Sequence, residues 1–268
     1  MIYAVWLSGL GLLFWILERI WPRRPAQPVW RKGIVSDLAY VVFNAHVLGV
    51  AIGNLSIGAT AWLDAALRQA GWKNAVYAGV LAELPFWTQF AIWFLALDFA
   101  QWCVHNVLHR VPALWEFHKV HHSIVDMDWI GDWRFHWVEI LVYRGFLYIP
   151  GAMLGATGEV MFWVGVLNTL VGHFAHANLR WRIGPLRYLI NSPEMHIWHH
   201  NHPDEGPINR NFGLTLAVWD WLFGTANVPD RDPGRLGFAG IESYPEQLPG
   251  QWLAPFWPRI RGGRIESK

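Results

Sequence analysis

Residues Ile2 to Ile20 form one apolar run, touched only by Glu18 and Arg19 near its end, and the chain makes several more. A second goes from about Leu38 to Leu63, weakened by Asn44, His46 and Asn54, and a third spans Leu84 to Val104. A fourth and fifth lie between Val138 and Gly172, with a break near Gly155 to Glu159 that suits a turn between antiparallel helices. About 20 apolar residues cross a bilayer core. The expected fold is therefore all-α, a multi-pass transmembrane helical bundle of four or five spans. After Arg180 the chain turns polar and rich in Gly and Pro, which predicts a compact cytosolic, histidine-rich helical cap. The first run has an uncharged start, no A-x-A-like cleavage site, and Trp21, Pro22, Arg23 and Arg24 behind it, so it reads as a retained anchor rather than a secretory signal.

Lys and Arg positions set the orientation. Arg19, Arg23, Arg24, Arg31 and Lys32 follow the first span, Arg110, Lys119 and Arg134 the third, and Arg180, Arg182 and Arg187 the fifth. The opposite loops hold only Arg68 and Lys73, which places the basic loops in the cytoplasm. The chain is 53% hydrophobic, with a mean hydropathy of +0.19, which excludes a disordered or coiled-coil chain. A net charge of +1 makes nucleic acid an unsuitable partner. One cysteine, Cys103, excludes a disulfide framework and a CxxC zinc site, and reads as a small buried hydrophobe.

The chemistry falls to 13 histidines. His105 and His109 lie at the end of the third span, and a spacing of four puts both on one helix face. His118, His121 and His122 follow in an H-x-x-H-H pattern, which His196, His199 and His200 repeat. His173 and His176 end the fifth span. All four clusters fall on the same side of the membrane. Neutral imidazoles crowded together leave ring nitrogens unsatisfied, and protonated ones repel. Metal ions resolve both problems, and ten ligands exceed one tetrahedral zinc but fit two metals at four or five nitrogens each.

The remaining polar residues divide by context. Asp98 shares a helical stripe with Gln101, His105 and His109. At about 10 Å along the axis from His105 it cannot bond that ring, but it can orient a histidine from another cluster or join two helices. His46 is expected to be a satisfied core or pore-facing residue and His202 a surface residue. His136 is an extra ligand, a group behind a ligand, or a substrate contact. Glu194, Asp204 and Asp220 are outer partners of the histidines, or caps and turn formers. No Glu-x-x-His, H-E-x-x-H, G-x-S-x-G, P-loop or G-x-G-x-x-G occurs. A zinc-dependent membrane hydrolase and a non-redox metal-binding membrane protein are the alternatives to redox catalysis.

The stretch from Asp98 to Thr225 resembles the integral-membrane fatty acid hydroxylase / sterol desaturase superfamily. The likeness rests on Asp98 with His105-x-x-x-His109-Arg110, on Trp115-x-x-His118-x-x-His121-His122-Ser123, and on Arg134-x-His136. It continues in His176-x-Asn178, Pro193-x-x-His196-x-x-His199-His200, Asn211 to Gly213, and Trp219 to Thr225. Asn106 and Trp137 depart from it, where Arg and Pro are common. The resemblance implies transmembrane helices over residues 1–104, a di-iron catalytic region over 105–225 with a hairpin at about 138–172, and a tail over 226–268. It implies two iron ions held by His105, His109, His118, His121, His122, His173, His176, His196, His199 and His200. Asp98, Arg134, His136, Asn178 and Asp220 would lie behind these ligands or touch substrate. It further implies O2 as co-substrate, hydroxylation or desaturation of a fatty acyl, sterol or related lipid, and electrons from a separate electron-transfer protein. No flavin, haem or ferredoxin signature occurs, and the basic loops suit docking of an acidic donor. The C-terminal RIESK lacks a KDEL-type signal, which favours a bacterial inner membrane over the endoplasmic reticulum.

Overall fold

The computed structural model describes residues 2–71, 81, 83–143 and 155–257. Among these residues every regular element is helical, with three isolated β-bridges and no strand. Helix α1 (Ile2–Ile20) buries Leu7, Leu10 and Phe14 on one stripe, yet Val5, Leu12 and Ile16 stand exposed on the other. A helix apolar all round suits lipid. Helix α2 (Ile34–Tyr40), which passes through a π-helical stretch (Val41–Leu48) into α3 (Gly49–Gln69), and α4 (Phe86–Arg110) also turn apolar residues outward, while Asp37 and Asp98 are buried on inner faces. Exposed Val35, Val47, Val50, Leu55, Trp87 and Leu95 line their outer faces.

Three described segments, Tyr3–Ile20, Ile34–Ile52 and Phe86–Arg110, are long and apolar enough to cross a membrane. The expected fourth and fifth spans correspond to α6 (137–143) and α7 (Gly158–His176), while residues 144–154 lie outside the described residues. Helix α7 is 19 residues long but carries Glu159, Asn168, His173 and His176 and falls short of the apolarity of the other three. It runs alongside α1 in the same direction. Trp6 meets Trp163, Phe14 meets Phe174, and Trp21 meets Trp181. Trp93 and Leu97 of α4 pack on Val160 and Val164 of α7. The C-terminal ends of α1, α4 and α7 therefore meet at one level.

A cap forms there because the chain reverses sharply. Pro112 forces Val111 into extended backbone (φ −96°, ψ 110°), which ends α4 and starts α5 (Pro112–His122). Helix α5 thus folds back beside the end of α4. A short 3-10 turn (Trp129–Trp133) follows and wedges against α1, where a Cβ on Gly11 would lie 2.7 Å from the Trp129 ring. Glu18 accepts backbone N–H groups from Trp129 (2.9 Å) and Asn178 (2.8 Å), tying α1 to both turns. Asn44, in the π-helical stretch, donates to the carbonyls of Trp133 and Phe135 on either side of Arg134.

Arg31, Asp37, Asp128 and Arg134 form a buried, charge-balanced cluster under the bundle. Arg134 also donates to the Ser123 carbonyl at the end of α5 (3.1 Å). Helices α8 (Pro193–His199), α9 (Val218–Leu222) and α10 (Leu248–Leu253) complete the cap. The tail is part of the same packing: Gln251 bonds Tyr40 of α2 (3.1 Å) and Ser123 (3.2 Å).

Candidate metal centre

Nine buried histidines converge in two groups. His105, His109, His118, His122 and His199 form one, and His121, His176, His196 and His200 the other, with ligand atoms inside each group within 4.8 Å of one another. The two H-x-x-H-H motifs are used in opposite senses. On α5 the i, i+4 pair His118 and His122 serves the first group while His121 crosses to the second. On α8 the pair His196 and His200, the latter just past the helix, serves the second while His199 crosses to the first.

Backbone and side-chain acceptors fix the rings from behind. His105 Nδ1–H donates to the Phe212 carbonyl (2.7 Å), His199 Nδ1–H to that of Arg210 (2.8 Å), and His109 Nδ1–H to Asn209 Oδ1 (3.2 Å). One loop, residues 209–212, thus orients three of the five rings. Asn209 and Asn211 both sit at φ 58°, a left-handed conformation that Asn tolerates better than most residues. Asn211 anchors the loop by donating to the carbonyls of Met195 and Asn227. Glu139 holds His118 Nδ1 (2.8 Å), and the Gly172 carbonyl accepts from His176 Nδ1–H (2.9 Å).

These acceptors leave the Nε2 atoms as lone pairs, and the lone pairs face each other. His105 and His118 Nε2 are 3.1 Å apart, and His176 Nε2 is 3.0 Å from that of His196 and 3.2 Å from that of His121. Burial first, and the nearby imidazoles second, push His121, His122, His196 and His200 well below the usual histidine range. Burial brings His199 down to about 3. Neutral rings with opposed lone pairs repel unless a cation lies between them, so the donor set fits metal ions.

The other sequence candidates have different partners. His173 stands outside both groups. It faces Asp132 through Nδ1 (2.9 Å) and packs among Phe14, Trp129 and Trp133. Asp98 orients no histidine, because its carboxylate takes the Thr215 and Leu216 N–H groups and Trp219 Nε1 (2.7 Å), pinning α4 to the segment before α9. Asp220 acts at one remove. It binds the Phe212 and Gly213 N–H groups and so steadies the loop that holds His105. His136 lies outside both groups, where Nε2 donates to the Trp252 carbonyl (3.0 Å) and Nδ1 accepts from Val138 N–H (3.1 Å). Arg134 belongs to the ion cluster, and Asn178 pairs with the Arg24 backbone.

Two expectations fail on burial. His202 is 5% exposed rather than on the surface, because it caps a turn through Asp204 N–H, and His46 is exposed, so it is no core residue. Cys103 is half-buried. Glu194 is buried beside Arg182, and Asp204 pairs with His202 and Arg235. The carboxylates that reach histidines of α5 and α7, Glu139 and Asp132, escaped the sequence reading. Glu139 carried a usable signal, as the one acid in an apolar helical segment. Asp132 sits so close to α7 that a Cβ on Gly172 would lie 2.7 Å from both its oxygens.

A cavity of about 180 Å³ opens from the histidines into the bundle. His105, His118, His121, His176 and His196 form its floor, and Trp133, Phe135, Ile140 and Leu214 give it apolar walls.

A family model described as fatty acid hydroxylase matches residues 90–225. The chain is 34% identical over 237 residues to the ornithine lipid hydroxylase OlsE of Rhizobium tropici, covering 85% of this chain and 67% of that protein. It is 30% identical over 155 residues to alkylglycerol monooxygenase of Xenopus tropicalis, covering 57% of this chain but only 34% of that protein. It is 27% identical over 152 residues to methylsterol monooxygenase 2-2 of Arabidopsis thaliana, covering 53% and 55%. No solved structure matches.

Proposed function

The chain belongs to the fatty acid hydroxylase family, and from that premise we propose that it is an integral-membrane, O2-dependent di-iron enzyme that hydroxylates a bilayer lipid. The observation that carries this reading is the pairing of buried, neutral imidazoles whose lone pairs confront one another in two adjacent groups. His105, His109, His118, His122 and His199 hold one iron, and His121, His176, His196 and His200 the other. Two irons held there would supply the O2-activating redox chemistry that oxidation of an unactivated C–H bond needs. Hydroxylation is preferred to desaturation because the relatives above are named hydroxylases and monooxygenases.

The chain's own residues provide the rest. The loop at 209–212, with Glu139, fixes four rings of the first group before any metal arrives, so little reorganisation accompanies binding there. The apolar walls admit a hydrocarbon segment from the bilayer and exclude water from the floor. One oxygen atom enters the C–H bond and the other leaves as water, so two electrons come from a separate electron-transfer protein and two protons from solvent. The active site faces the cytoplasm, where Arg23, Arg24 and Arg31 lie, in a bacterial inner membrane. Residues 105–225 form the catalytic region, with residues 1–104 as the membrane part and 226–268 as a tail.

Metal analysis of detergent-purified protein, with O2 uptake and lipid product measured beside an added reductase, tests this. About two irons per chain are expected, with the content reduced by His121→Ala and, to a smaller extent, by His199→Ala. One zinc per chain with no O2 uptake under any reductant overturns it.

A further inference from the structure

Gln101 has no part in the scheme above. It lies on α4 one turn before His105, about 6 Å from it along the helix axis and deeper in the bundle, and it lines the cavity. Its Oε1 is buried and has no hydrogen-bond partner among the described residues. Two polar pairs that line the same cavity are already satisfied. Tyr3 Oη bonds Thr169 Oγ1 (2.8 Å), and Thr215 Oγ1 donates to Asn168 Oδ1 (3.0 Å). A buried acceptor inside a membrane bundle is costly unless something donates to it.

We propose that Gln101 Oε1 receives a hydrogen bond from an N–H or O–H group of the lipid. The substrate class is then a lipid that carries such a donor about one helical turn from the oxidised carbon, as an amide-linked or hydroxylated acyl chain does. A plain ester or an unsubstituted hydrocarbon chain fills the same space but strands the acceptor. This inference rests on the cavity being the lipid site, and it narrows what that site accepts.

Three matched lipids of equal chain length separate the possibilities: an amide, the corresponding ester, and the ester bearing a chain hydroxyl. Binding is read as thermal stabilisation of the metal-free protein, and turnover as O2-dependent product from the iron-loaded enzyme. The amide or the hydroxylated lipid is expected to exceed the plain ester about tenfold in both, the size of one buried hydrogen bond. The arm that shows the preference identifies the donor. Gln101→Met, nearly equal in shape but without the acceptor, should bring the ratio to within about twofold. Equal binding and turnover of all three lipids by the unaltered protein overturns the inference without any variant. A binding preference with no O2-dependent product overturns the oxygenase reading and leaves this inference standing.

Discussion

The two histidine groups are built to different standards. In the five-membered group a single loop and Glu139 fix four rings from behind. In the four-membered group only His176 is held closely. His196 has a 3.4 Å contact with Asn191, and the Nδ1 atoms of His121 and His200 have no hydrogen-bond partner among the described residues. On the proposed assignment the first group is preorganised and would have a ligand to spare, while the second would depend on every ligand it has. The difference shows that a repeated motif does not make equivalent sites. What surrounds the rings decides how firmly each group is held.

The largest effect should come from removing one imidazole on each side. His196→Ala leaves three ligands, and the metal content is expected to fall from about two to about one per chain, with activity abolished. His199→Ala leaves four and should retain more metal than His196→Ala, though less than the unaltered protein. Elemental analysis of both variants side by side decides it, and equal losses would erase the distinction between the groups.

Next in size is a perturbation both groups should feel alike. Arg134 steadies the end of α5, which supplies ligands to each, and Asp37 is its carboxylate partner. Asp37→Ala leaves a buried guanidinium without that partner and should cost about 3–5 kcal/mol of stability in a denaturant titration. The exposed Lys32–Glu246 pair is the control, where Lys32→Ala should cost less than about 1 kcal/mol. If Asp37→Ala lowers one metal and spares the other, the shared-platform picture fails.

A smaller effect should follow Asp132→Asn, which weakens the carboxylate beside His173 and His176. Metal affinity of the four-membered group is expected to drop about 10–100-fold, with the other group unchanged. Gly172→Ala should mimic it, because the added Cβ displaces Asp132. A chelator titration followed by metal content gives the affinities, and parallel weakening of both groups would contradict the assignment. The smallest effect is expected for His173→Gln, which should leave about two metals per chain. A loss of metal there would make His173 a ligand and the two groups equal in number.

Much of the site was legible in the sequence because helix geometry is local. The spacings of His105 with His109, His118 with His122, and His196 with His200 put each pair on one face whatever the chain does elsewhere. The break near Gly155 was legible for the same reason: Gly155 sits at φ 83° just before the Thr157 cap of α7. Asp98 was legible as an unusual residue but not as to its partner, which lies 117 residues away at Thr215.

By itself the sequence determined that apolar helices carry their histidines to one end and that helix faces gather them in pairs. Local periodicity and the cost of polar groups in lipid are enough for that. Only the tertiary structure decided how nine rings divide five to four, that His173 stands aside against Asp132, and that Glu139 and the loop at 209–212 hold four of the nine. Those outcomes depend on which surfaces meet after the chain reverses at Val111 and beyond Asn178. His105 and the Phe212 carbonyl are 107 residues apart, and no spacing rule reaches across that distance.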